Sequence, residues 1–292
     1  MKTKSYNLIN TVEQEEMDAG LLAEYYTVEA KNGKAVTLPD VFSGEIREDL
    51  IRRAVLASRA NRRQSYGHRE HDGKRKPQAG MKHSVEWWGK GRGVSRIMRK
   101  AGQRTAAQNP HTRGGRRAHG PKVDKDWSQK INSKENRIAR DSAIAASASS
   151  NLVSERGHHF EASLRFPIII DGYVESREGG DEKYDLESLP LQYSTRKFVA
   201  MMEGLGLGED LDRARNGRTI RAGKATMRGR KYRTPKSILL VVSQTNGLAK
   251  AARNIPGVDI VAAKDLSAED LAPGGDAGRL TVWTKSAIGA LE

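Results

Sequence analysis

The sequence predicts an α/β protein, a mainly parallel sheet with helices on both faces, plus one long extended basic loop. Three observations carry that prediction. Short apolar runs at 166–170, 237–242 and 258–262 have the length and β-branched content of strands buried on both faces. Stretches of helical periodicity separate them, the alternation that builds a parallel sheet. Residues 59–122 hold 18 Lys/Arg against 3 Asp/Glu, a net of +15 equal to that of the whole 292-residue chain. That segment has no Leu, no Phe and no Cys, so it cannot bury a core and is expected to need a polyanion to order it.

The elements follow in order. Residues 1–22 are polar, with Glu13, Glu15, Glu16 and Asp18, and read as a short extension or poorly ordered arm. Residues 24–29 read as a strand, Asn32-Gly33 as a turn that tolerates positive φ, and 36–38 as a returning partner strand. Ser43 is placed to cap a helix in which Ile46, Leu50, Ala54 and Val55 recur to about Ala60. The globular domain is thus expected over 23–60 and 123–292, with 61–122 inserted in it as the basic loop. Ten glycines in that loop argue against regular structure there.

Order resumes near Asp124. Asn132 with Glu135 suggests a capping box, followed by a helix with Ile138, Ala139, Ser142, Ala143 and Ala146 along one side. Residues 166–170 form a buried strand, and the acidic stretch 172–190 a surface excursion. Phe198, Met201, Met202 and Leu205 make a helix stripe. Then come a strand at 237–242, a short helix at 248–253, a strand at 258–262, a helical turn at 268–271 and a strand at 280–283.

A second basic cluster precedes the strand at 237. Arg213, Arg215, Arg218, Arg221, Lys224, Arg228, Arg230, Lys231, Arg233 and Lys236 fall in one stretch that no acid interrupts. Arginine offers phosphates a planar fork, glycine lets backbone N–H groups approach them, and Tyr232 offers a stacking face.

The Rossmann-like alternation of strands and helices invites a cofactor reading, which the motifs do not support. There is no G-x-x-x-x-G-K-[ST], no strand-G-x-G-x-x-G-helix unit and no G-x-S-x-G elbow. His68-Arg69-Glu70-His71 is not the H-E-x-x-H zinc pattern, and no Cys or carboxylate set completes a site. Adjacent His158 and His159 read as surface residues. No catalytic residue, cofactor, metal site or small-molecule substrate is expected, and any structural magnesium would belong to bound RNA. No run of eighteen apolar residues exists and no apolar signal segment opens the chain, so no membrane partner is expected. The absence of cysteine fits a cytoplasmic protein.

Four blocks in this order resemble the archaeal form of the large-subunit ribosomal protein L4 family, over roughly residues 24–290. They are Leu38-Pro39-Asp40-Val41-Phe42 with the helix ending at Ser58-Arg59-Ala60-Asn61-Arg62-Arg63-Gln64; the run from Trp87 to Gly93 continuing to 113–122; 224–235; and 270–275 running to 278–282. The resemblance implies a structural constituent of the large ribosomal subunit, with 23S rRNA, neighbouring large-subunit proteins and the nascent peptide as partners. It implies a loop threading through rRNA, with Trp87, Trp88, Gly89, Lys90, Gly91, Arg92 and Gly93 at its tip by the peptide exit tunnel. Together, charge and resemblance assign rRNA contacts along the loop to Arg62, Arg63, Lys74, Arg75, Lys76, Lys90, Arg92, Arg96, Arg99, Lys100 and Arg104. On the returning arm they assign Arg113, Arg116, Arg117, His119 and Lys122. On the globular domain they assign Lys224, Arg228, Arg230, Lys231, Tyr232 and Arg233. Two features depart from the family pattern: residues 1–22 and the length of the acidic stretch at 172–190. The alternative left open is a non-ribosomal RNA- or DNA-binding protein, a chaperone or chromatin-type factor, with a disordered basic arm.

Overall fold

The computed structural model describes residues 2–16, 22–67, 84–113, 118, 119, 121–177, 180–184, 187, 195–245 and 252–291. In chain order its strands are β1 (Lys2–Glu16), β2 (Leu22–Thr37), β3 (Val85–Trp87), β4 (Met98–Lys100), β5 (Ile168–Arg177), β6 (Gly180–Tyr184), β7 (Thr219–Ile220), β8 (Tyr232–Arg233), β9 (Leu239–Val242), β10 (Asp259–Ala262) and β11 (Thr281–Thr284). The α-helices are α1 (Glu48–Asn61), α2 (Ser133–Ser147), α3 (Ser150–Glu155), α4 (Thr195–Gly204), α5 (Gly208–Asn216), α6 (Lys224–Met227), α7 (Ala268–Leu271) and α8 (Lys285–Gly289). By internal contact the chain forms two units, Met1–Arg59 with Lys130–Glu292, and Ala60–Gln129.

The first unit is built on one sheet with strand order β10-β9-β11-β5-β1-β2, and β6 beside β5. The pairs from β10 through β1 are parallel, whereas β1–β2 and β5–β6 are antiparallel. Successive strand residues point to opposite faces. Ile168, Ile170, Leu240, Val242 and Val282 therefore join one core with Val153, Phe198, Met201, Met202 and Leu211 of α3, α4 and α5. Ile169, Leu239, Val241 and Trp283 join the other with Ile51, Val55, Ile144, Leu271 and Ile288 of α1, α2, α7 and α8. Burial on both faces is why these strands read as unbroken apolar runs. Each such side chain contributes about 1.5–3 kcal/mol.

Two of the family-like blocks serve this core. Phe42, in the 3₁₀ turn Asp40–Ser43, packs edge-on against Trp283 at 5.2 Å between ring centroids. Arg279, 1% exposed, donates through Nε to Ser237 O (3.0 Å), through Nη1 to Asp270 O (2.8 Å) and through Nη2 to Asp259 Oδ2 (2.6 Å). It ties the start of β9 to the start of β10.

Several expectations are corrected. Residues 2–16, expected to lie outside the domain, form β1, inside the sheet between β2 and β5. Its polar sequence hid it: among its described side chains Leu8 is buried in the apolar core with Tyr6 packed against it, while buried Ser5 donates to Lys34 O (2.8 Å). Asn32-Gly33 is not a hairpin turn. β2 runs through it, with a register shift where Lys4 pairs with Ala35 and Tyr6 with Asn32. A Cβ on Gly33 would stand 2.8 Å from Ser5 Oγ, so glycine serves close approach there. Ser43 ends the 3₁₀ turn, and α1 begins at Glu48 with acidic residues in its first turn. Asn132 is the N-cap of α2, but its side chain makes no capping bond, and Ile138 is exposed. Of the acidic stretch 172–190, residues 172–177 continue β5 and 180–184 form β6, which pairs with it. The expected helix at 248–253 lies, apart from its last two residues, outside the described residues.

Candidate nucleic-acid interface

In the unit Ala60–Gln129, the glycine-rich stretch expected to lack regular structure contains a hairpin. β3 and β4 pair with Val85 opposite Lys100 and Trp87 opposite Met98. The chain then folds back on β4, Lys100 N donating to Thr105 O and Ala107 N to Met98 O, each at 2.9 Å. Of the residues expected at the loop tip, Trp87 ends β3 and 88–93 lie in the connection between β3 and β4. Gly91 (φ 86°) and Gly93 (φ 64°) sit in the left-handed region that glycine enters without strain.

Within the hairpin the cations divide by role. Arg99 is buried and donates through Nη1 to Arg104 O and through Nη2 to Ser95 O and Ser95 Oγ, the last two at 3.2 Å. It braces the connection from inside. Lys90, Arg92, Arg96 and Arg104 are exposed, and Lys100 is half-buried. The half-buried Trp88 donates through Nε1 to Glu86 Oε2 (3.1 Å), and the Arg92 guanidinium lies 4.5 Å over its ring. Trp87 is 65% exposed, which leaves its side chain available for stacking.

A second aromatic cluster stands at the root of this unit. Trp127 stacks on Tyr66 at 5.5 Å, with Arg63 at 4.0 Å and Lys125 at 4.3 Å from its ring centre. The sequence reading missed Trp127 and Lys125, which lie outside the glycine-rich run. A lysine two residues before a tryptophan was the available signal. Arg62, Arg63, Arg113, His119 and Lys122 are exposed. Lys74, Arg75, Lys76, Arg116 and Arg117 lie outside the described residues.

The second arm spans α6 and the ribbon of β7 and β8, between α5 and β9. Thr219 pairs with Arg233 and Ile220 with Tyr232. Arg221 donates from its backbone N to Lys231 O (2.8 Å) and from Nε to Tyr232 O (3.1 Å). Arg218, counted in the basic cluster, lies 4.0 Å over the Tyr232 ring. Lys224, Arg228, Arg230, Lys231, Tyr232 and Arg233 are all exposed, and Met227 at the end of α6 is 87% exposed. Positive φ at Gly223 and Gly229 (both 75°) flanks α6. No acidic side chain lies in the arm's sequence, so its potential is uniformly positive.

A buried network holds the arm's base. Asp210 of α5 accepts from Arg213 Nε (2.9 Å), His158 Nδ1 (3.1 Å), His159 N (3.2 Å) and Ser237 Oγ (2.5 Å). Burial alone would raise the Asp210 pKa, but the hydrogen bonds from His158 and Arg213 outweigh it and hold the carboxyl well below its usual range. Arg213 also donates to Lys236 O (2.8 Å), and Lys236 Nζ reaches Asp259 Oδ2 (2.7 Å). Arg213 and Lys236, both counted in the basic cluster, are thus structural. His158, expected on the surface, is buried against Asp210.

Among the described residues no group of three or more His, Asp or Glu could hold a metal ion, and no helix is long and apolar enough to cross a membrane. Each of the two units carries exposed cations beside aromatic side chains, the groups that a nucleic-acid ligand would require. The family follows from comparison. Residues 36–292 match the profile of the Ribosomal protein L4/L1 family, and the chain belongs to it. It is 45% identical over 257 residues to the Large ribosomal subunit protein uL4 of Methanothrix thermoacetophila, covering 88% of this chain and 93% of that protein. It is 42% identical over 275 residues to its namesake in Methanopyrus kandleri (92% and 97% covered), and 43% over 251 residues to that of Halobacterium salinarum (86% and 91% covered).

Proposed function

We propose that this chain is a structural, non-catalytic constituent of the cytoplasmic large ribosomal subunit that binds 23S rRNA through both basic arms. The observation that carries the reading is the placement of exposed cations and aromatic rings on two arms, while the residues outside both arms carry an excess of acid. Such arms contact phosphates and stack on unpaired bases, so they read RNA shape and backbone more than sequence. The hairpin Val85–Lys100 then forms the inner end of the first arm. It presents Trp87, Lys90 and Arg92 toward the nascent peptide, while the segments around it, including 74–76 and 113–122, contact rRNA on the way in and out. If fully extended, a 64-residue loop going out and back reaches about 100 Å. Neighbouring large-subunit proteins complete its surroundings.

Deleting residues 65–118 tests this against a chromatin-type or chaperone role. The remaining body is expected to co-sediment with large subunits at moderate salt through residues 217–236. Loss of nearly all nucleic-acid binding on that deletion, or failure of the full chain to co-sediment, contradicts the proposal.

A further inference from the structure

We propose that the outer edge of β2 at residues 22–27, within a sheet extension, docks a lysine- and arginine-rich segment of another protein as an added strand. The inference goes beyond the RNA reading and does not depend on it. β1 pairs with β2 out to Glu16 opposite Leu22, and with β5 out to Thr11 opposite Ser176. β5 pairs with β6 from Tyr173 opposite Tyr184 to Arg177 opposite Gly180. The last pair between β5 and β11 is Ile170 with Thr284. Beyond it the sheet continues as β6-β5-β1-β2 alone.

Both segments that depart from the family pattern build this extension. The family match begins at residue 36, leaving β1 and nearly all of β2 outside it. Residues 10–29 hold six Asp/Glu and no Lys or Arg, and 175–185 hold five against two, in a chain of net charge +15. Among the described residues, the pairing sets Asn10 and Thr11 of β1 beside Glu175 and Ser176 of β5, with 22–29 on the far side of β1 and 180–184 on the far side of β5.

Acidity alone would mark only a solvated face. The edge adds a second observation. β2 ends the sheet, and among the described residues no strand pairs with its outer side. α4 packs on β2 at Val28, where a Cβ on Gly204 would stand 2.1 Å from Val28 O. An unpaired edge offers N–H and C=O groups to an extended segment. The charge around it repels phosphate and selects a cationic polypeptide.

The test uses the full-length protein and a short synthetic peptide of alternating lysine and valine. Hydrogen exchange read by mass spectrometry should show protection of residues 22–27 on adding the peptide. Binding should weaken with salt. It should be roughly tenfold weaker for the E13Q/E15Q/E16Q/E24Q variant. An E48Q/E155Q variant, neutralised on the same body but away from this edge, should bind as wild type does. Equal binding by the fourfold variant, protection elsewhere or nowhere, or protection of 22–27 by an rRNA fragment in place of the peptide overturns the proposal. The fourfold variant should keep its melting temperature and its co-sedimentation with large subunits, so the RNA reading stands or falls separately.

Discussion

Asp210 and His158 lie 52 residues apart in sequence and 3.1 Å apart in space, both buried at the foot of the second basic arm. Asp210 joins α5, which leads into the arm, to Ser237, which leads out of it. Asp210→Ala would leave the His159 N–H without its acceptor and take the carboxylate from Ser237, which keeps only the longer contact to the backbone O of residue 210 (3.3 Å), and from Arg213, which keeps Lys236 O. A loss of about 3–5 kcal/mol is expected, read by urea unfolding. Ser237→Ala, which removes one donor, should cost about 1–2 kcal/mol.

Acid should weaken the fold in two stages. Burial lowers the His158 pKa more than its hydrogen bond to Asp210 raises it. The unfolded chain therefore takes up a proton that the folded chain resists, and stability falls as pH drops below ~6.5. Asp210 is held low, so its contribution is complete above the ordinary carboxylate range and is lost as pH falls through its folded value. Unfolding free energy measured across this range should decline from near neutrality downward. His158→Asn should flatten the upper stage; an unchanged slope between pH 6.5 and 5 would count against this assignment (~6.5 for free histidine).

Arg99 and Arg96 should separate structure from binding in the first arm. Arg99→Ala removes the brace on Ser95 and Arg104, and hydrogen exchange at 95–107 should quicken. Arg96→Ala, on an exposed cation, should leave exchange unchanged and reduce the salt dependence of RNA binding by about one phosphate contact, a slope change of ~0.7–0.9.

On the second arm, combined K224A/R228A/R230A/K231A substitution should lower that salt slope by up to about three. The melting temperature should hold, because these four side chains are exposed. A drop in stability with no change of slope would place them in the fold instead.

The sequence made parts of this fold plain and hid others for physical reasons. Leu239–Val242 was legible because burial on both faces leaves no polar position. β1 was not, because a strand whose outer half pairs only with other strands beyond the core carries no apolar alternation. Asn32-Gly33 has the chemistry of a turn and is used where backbone comes near Ser5. For the site, clustered charge marked both arms. Arg99, however, is identical in sequence terms to its exposed neighbours, and only the fold turns it inward. His158 likewise carried no local sign of Asp210.

Protein–RNA cross-linking in purified large subunits tests the central claim most directly. The account predicts that 23S rRNA cross-links map to peptides containing Lys90 or Lys100 and to peptides from 217–236. Cross-links confined to the sheet body, with both arms unmodified, would contradict it.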